Sequence, residues 1–314
     1  MIQRFEKANR RRGTGFAAIF VASTLLGVGQ GVARILLDRG IDTVELVQVR
    51  YWMAALILGV ILTIKGWTVP DGPSTRRGAS VWVVVFGISI AVSNAAYYRA
   101  LQSLPIGIAA TILYTAPAML VLWKWLVQGI RPNLPVTVGV LVAFAGVLLL
   151  SELQSVLGGA SQRLDPVGVL AALGGALGLA IMWMSGKQVA AVIDPARGFL
   201  AASFVAAFLL SAWQVSRGWP TSILRWDAIP GILYLGTFAT VIPFILLLWG
   251  LRQVDTRQAG IIAMVEAFVA ALFGYVWLNQ SLTAFQILGG GLIVLGGATV
   301  RAGGADEAGD LPKA

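Results

Sequence analysis

Ten apolar runs follow one another along the chain, at roughly 15–37, 46–64, 80–101, 105–127, 134–151, 166–187, 196–216, 228–251, 257–277 and 283–300. A bilayer core of ~30 Å takes about 20 residues of helix, and most of the runs approach that length. They are continuous stretches of Leu, Val, Ala and Gly, not short segments alternating between apolar and polar. That pattern predicts membrane-spanning helices and disfavours a barrel.

The runs divide five and five, and the second set echoes the first about 150 residues later. Residues 100–149 lie over 250–299 without a gap, and Leu101, Ala109, Ile112, Leu122, Gly139 and Gly146 meet Leu251, Ala259, Ile262, Leu272, Gly289 and Gly296. The register carries more weight than the identities. Glycines seven apart fall on one helical face, where a neighbouring helix can approach closely. A unit with an odd number of spans inserts its copy upside down, as many secondary transporters do. The expected organisation is a basic arm (1–14), a first repeat (15–151), an external linker (152–165), a second repeat (166–300) and a tail (301–314).

Composition agrees with a lipid solvent: 58% of the 314 residues are hydrophobic, 12% are charged, and the mean hydropathy is +0.82. Arg4, Lys7 and Arg10 to Arg12 precede the first run, and Lys65, Arg76 and Arg77 follow the second, which predicts that both termini lie on the cytoplasmic side. Arg217 and Arg225 go against the rule, because they fall on the predicted outer side. The formal charge of +9 reads as topology, with no nucleic-acid patch. The first run is about 23 residues long and lacks a nearby small-x-small site, so it reads as an uncleaved helix. Cys and His are absent. That removes disulfides, thiolate chemistry and Cys/His metal sites, and no phosphate-binding loop is present. Neither cofactor nor nucleotide is called for, and no enzyme chemistry is written in the chain.

Polar groups inside spans usually face a bundle interior or a wet cavity. Ser23, Gly27, Gln30 and Arg34 form one stripe on the first span; Gly87, Ala91, Asn94 and Tyr98 form another on the third, with Arg99 beyond it. Tyr114, Pro117 and Lys124 lie roughly along one side of the fourth. The candidate path is therefore Gln30, Asn94, Tyr98, Arg99, Tyr114 and Trp183, the last in a glycine-rich sixth span. Interhelical hydrogen bonding accounts for the same polar groups equally simply, and the arginines can snorkel. Pro117 and Pro243 each leave a carbonyl without its helical donor, which predicts a bend or a hinge. Glu266 is the one carboxylate deep within a run. Carrying a proton, pairing with Lys124 and holding a substrate ammonium are its three open roles.

The ten helices, the basic N-terminus, the interrupted segment Tyr114-Thr115-Ala116-Pro117 and its counterpart Val265-Glu266-Ala267-Phe268 resemble the EamA-type members of the drug/metabolite transporter superfamily. The resemblance implies two inverted five-helix repeats around a central cavity and export of small metabolites. The aromatic content is similar to that of the bacterial aromatic amino-acid exporters. The expected function is export of small amphipathic metabolites, aromatic and other apolar amino acids first, by alternating access. The alternatives are multidrug or cationic-toxin efflux and a channel-like passive facilitator. Oligomeric state is not written in the chain.

Overall fold

The computed structural model describes residues 2–66, 73–101, 103–104, 106–151, 165–218, 222–223, 225–279 and 281–303. Among them the secondary structure is helical throughout: α1 (Ile2–Asp38), α2 (Thr43–Ile64), α3 (Pro73–Leu101), α4 (Ile106–Leu113), α5 (Ala116–Leu126), α6 (Leu134–Leu150), α7 (Pro166–Val192), α8 (Pro195–Arg217), α9 (Ile229–Gly236), α10 (Ile242–Leu251), α11 (Thr256–Ala263), α12 (Val265–Trp277) and α13 (Ala284–Gly303). The fourth span is α4 with α5, the eighth α9 with α10, and the ninth α11 with α12. Eight spans are long and apolar enough to cross a membrane, and α6 and α13 are shorter apolar helices, which accounts for all ten runs. The basic arm is helical from Ile2 and continuous with α1. Nearly all of the expected linker and most of the tail lie outside the described residues.

Starts are written locally. Asp42, Asp165, Asp194 and Asp255 accept hydrogen bonds from the first free N–H groups of α2, α7, α8 and α11, and Asn133 does so for α6. In α7 and α8 a proline follows the cap, where its missing donor is no loss. Large side chains such as Leu56, Leu126 and Phe208 stand exposed on the outside, as a lipid-facing surface requires.

Packing repeats under exchange of the halves. The third span packs on the sixth and the eighth on the first; the second packs on the seventh, and the fifth on the tenth. The glycine pairs make the exchange explicit. A Cβ on Gly146 would stand 2.5 Å from the carbonyl oxygen of Gly289, and one on Gly139 would stand 2.9 Å from that of Gly296. Gly139 corresponds to Gly289 and Gly146 to Gly296, so each contact is the other's image. The pairing is crossed, so α6 and α13 run antiparallel. Two inverted five-helix repeats follow.

Among the described residues three spans depart from continuous helix. The fourth breaks at Tyr114 and Thr115, and the ninth at Met264, which is 150 residues on from Tyr114. At both sites an N–H reaches back three residues instead of four, Thr115 to Ile112 and Met264 to Ile261. Only the fourth carries a proline there. Pro117 falls in the first turn of α5, so it begins a helix and does not bend one. In the eighth span the irregularity lies before Pro243, as a π segment at Thr237–Val241. Pro243 cannot donate to the carbonyl of Ala239, and the wider turn absorbs the fault.

Candidate functional site

Close packing of the first and ninth spans builds the centre. Gly27 and Gly31 let α12 lie so near α1 that a Cβ on Gly27 would stand 2.6 Å from the carbonyl oxygen of Glu266 and one on Gly31 would overlap Phe273. One turn from Gly27, Gln30 Nε2 donates to Glu266 Oε1 at 2.5 Å. Gln30 is exposed although it lies mid-span, and Glu266 is half-buried, so the pair borders an internal cleft. The buried Tyr114, at the break in the fourth span, lies beside Gln30 and in the field of Glu266.

The third span adds Asn94, Tyr97 and Tyr98. Asn94 Nδ2 donates to the carbonyl of Ile90 at 2.8 Å, with the Tyr51 hydroxyl 3.5 Å away. The rings of Tyr97 and Tyr98 are 6.0 Å apart, and Tyr97 lies within the field of Glu266. The second span contributes Tyr51, packed edge-on against Phe244, and Arg50. Arg50 Nε donates to Thr240 Oγ1 at 3.1 Å and its Nη2 to the carbonyl of Ala239 at 3.0 Å, the same carbonyl that Pro243 leaves unpaired. Thr240 in turn donates to the carbonyl of Leu235. Arg50 is also the cation within electrostatic reach of Glu266, Tyr51 and Tyr98.

Gln30, Asn94, Tyr98, Tyr114 and Glu266 therefore converge, whereas Arg99 and Lys124 lie elsewhere. Arg99 is exposed in the last turn of α3, near Asp165. Trp183 is buried in the large apolar core that also holds Phe86, Phe199, Phe244 and Tyr51, with Tyr98 packed against it. Lys124 pairs with Asp255 and not with Glu266. The reason is distance along the helix: Lys124 lies ten residues beyond Tyr114, about 15 Å of rise, whereas Glu266 sits level with Tyr114. Arg50, Tyr51 and Tyr97 were missed. Arg50 is a charge inside an apolar run, the signal that singled out Glu266.

The membrane faces are fastened by different chemistry. Thr14 hydrogen-bonds Gln253, which places the connection between the eighth and ninth spans on the face carrying the N-terminal end of the first. There Lys124 and Arg257 flank Asp255, Lys187 donates to the carbonyls of Leu251 and Val254, and Arg252 donates to those of Ala190 and Ile193. Burial raises the Asp255 carboxyl, but Lys124 and Arg257 outweigh it and hold it at about 2. On the opposite face the buried Glu45 accepts from the Ser222 N–H, the Ser222 hydroxyl and the Ile223 N–H. Arg217 and Arg225, the apparent exceptions to the charge rule, meet acids there: Arg217 lies 3.7 Å from Asp42, and Arg225 2.9 Å from Asp227.

Comparison with known proteins agrees with this architecture. A solved crystal structure superposes with a TM-score of 0.71 at 20% identity, covering 93% of this chain and 97% of that one, so the fold is shared. The threonine/homoserine exporter RhtA of Escherichia coli (strain K12) is 27% identical over 76% of this chain and 77% of its own. The uncharacterized inner membrane transporter YedA of the same strain is 22% identical over 92% and 90%. An uncharacterized transporter of Archaeoglobus fulgidus is 25% identical over 90% and 94%. The model of the EamA-like transporter family matches residues 13–152 and again 166–301, one match to each half, and the chain is a multi-pass membrane transporter belonging to that family.

Proposed function

We propose that this transporter exports amino acids by alternating access, with the cluster around Glu266 as its substrate site. The observation that carries the reading is a carboxylate and a guanidinium held in one cleft at mid-membrane, with tyrosine hydroxyls and amides around them. Such a site suits a small zwitterion. Glu266 takes either the substrate's ammonium or a proton, and that exclusivity couples export to proton entry. The similarity to a threonine/homoserine exporter supports cargo of that size. The tyrosines at 51, 97, 98 and 114 extend the range to aromatic amino acids through stacking. The excess of Lys and Arg in the first arm supports cytoplasmic termini. The fastened face with Asp255 is then the inner one.

The test is counterflow in proteoliposomes with a panel including threonine, homoserine, phenylalanine and a quaternary ammonium dye. Saturable exchange of amino acids, driven further by a pH gradient, is expected. Exchange of the dye alone overturns the proposal in favour of drug efflux. Flux without counterflow overturns alternating access.

A further inference from the structure

The guanidinium of Arg50 is engaged along one edge only. Its Nε and one Nη2 hydrogen are spent on Thr240 Oγ1 and the Ala239 carbonyl, which fixes the π segment of the eighth span. Among the described residues no hydrogen-bond partner stands against Nη1, and Nη1 is not among the side-chain nitrogens sealed away from solvent. Arg50 is half-buried, and the charges it feels are those of the cleft: Tyr51, Tyr98 and Glu266. Three N–H bonds of a planar fork are therefore open, and the adjacent pair on Nη1 and Nη2 matches the spacing of a carboxylate's oxygens. Placing a full charge within a membrane span without a carboxylate bound to it needs a reason. Holding one carbonyl and one hydroxyl is too small a reason, because a neutral donor such as Gln could do both.

We infer that Arg50 is a specificity-determining residue that binds the carboxylate of the cargo through its Nη1–Nη2 edge while its Nε–Nη2 edge holds the π segment of the eighth span. The inference rests on the amino-acid reading above and goes further by naming the group that reads the carboxylate and the element that feels it. A bound carboxylate pulls on a guanidinium whose other edge is tied to Ala239 and Thr240, so occupancy reaches the weakest turn of the eighth span directly. Lysine does not substitute, because a point charge on a flexible stem satisfies either the carbonyl or the cargo, never both in a fixed plane.

The experiment uses the full chain in proteoliposomes preloaded with labelled threonine, or with whichever panel amino acid exchanges fastest, and compares competition by that amino acid with competition by its primary amide. The two share side chain and ammonium and differ only at the carboxylate. The wild-type protein is expected to prefer the acid by about 10- to 100-fold, the discrimination typical of a charge-assisted hydrogen-bonded pair. Arg50→Lys is expected to bring that preference below about threefold, while Thr240→Val slows exchange and leaves the preference intact. Equal competition by acid and amide in the wild type overturns the inference without any variant, so a misfolded Arg50→Lys does not rescue it. Full preference in a folded Arg50→Lys protein overturns it as well. A wild type that exchanges no amino acid at all sinks the amino-acid reading itself, whereas exchange without carboxylate preference sinks only the role of Arg50.

Discussion

Asp255 and Glu266, two of the carboxylates packed into the helical bundle, are held in opposite ways. Asp255 caps α11 and lies against Lys124 and Arg257, so its charge is answered by cations in direct contact. Glu266 has an amide, that of Gln30, as its hydrogen-bond partner, and its cation, Arg50, stands off and holds the eighth span instead. A saturated carboxylate belongs to the scaffold, because any new ligand would first have to displace its partners. One left with an amide keeps room for a cation or a proton. Under the proposed function, Asp255 holds helices together and Glu266 takes the cargo.

Replacing each carboxylate by its amide is the sharpest way to break the comparison. Glu266→Gln is expected to lower counterflow by about 100-fold or more, through loss of a charge–charge contact with the cargo, while melting in detergent is little changed because Gln keeps an acceptor for Gln30. Normal flux with an unchanged response to pH would remove Glu266 from the coupling. Asp255→Asn should do the reverse. It leaves Lys124 and Arg257 facing a neutral group and should cost on the order of 2 kcal/mol of stability, seen as a lower melting temperature, with the substrate KM unchanged. A shifted KM with an unchanged melting temperature would reverse the two assignments.

The pH dependence of stability separates the same pair. The folded-state carboxyl of Asp255 is held below its ordinary value, so its contribution is fully present above about pH 4 and is lost as the pH falls toward about 2. Wild-type protein should therefore lose stability over that acid window, and Asp255→Asn should lose less. Smaller effects are expected at the rim of each region. Tyr114→Phe removes a hydroxyl beside Gln30 and should raise the KM about fivefold, in line with one neutral hydrogen bond. Trp183→Phe trims a ring in the apolar core and should change flux less than about twofold, with the cost appearing as about 1 kcal/mol in melting. A larger effect on KM than on melting would return Trp183 to the cargo path.

Much of the architecture was legible because lipid imposes simple rules. Length and continuity of apolar runs marked the spans, and the offset of 150 residues marked the glycine pairs that meet across α6 and α13. The same offset, applied to the break at Tyr114, points to Met264. The ninth span turns there without a proline. Most of the central cluster was legible for a related reason: a polar group in an apolar run is conspicuous, and Gln30, Asn94, Tyr98, Tyr114 and Glu266 are all of that kind.

Sequence by itself determined the solvent, the ten crossings, the inverted halves and which spans carry buried polarity, because each of these follows from local composition and period. Only the tertiary structure decided who meets whom. Lys124 and Glu266 sit in spans related by the repeat, yet about 15 Å of helical rise separates the lysine from the level of the glutamate, and Asp255 takes it instead. Arg50 joins the centre because Pro243 opens a carbonyl in the eighth span that a guanidinium from the second can fill. Such pairings depend on axial position and on which helix faces which, quantities that a one-dimensional pattern does not contain.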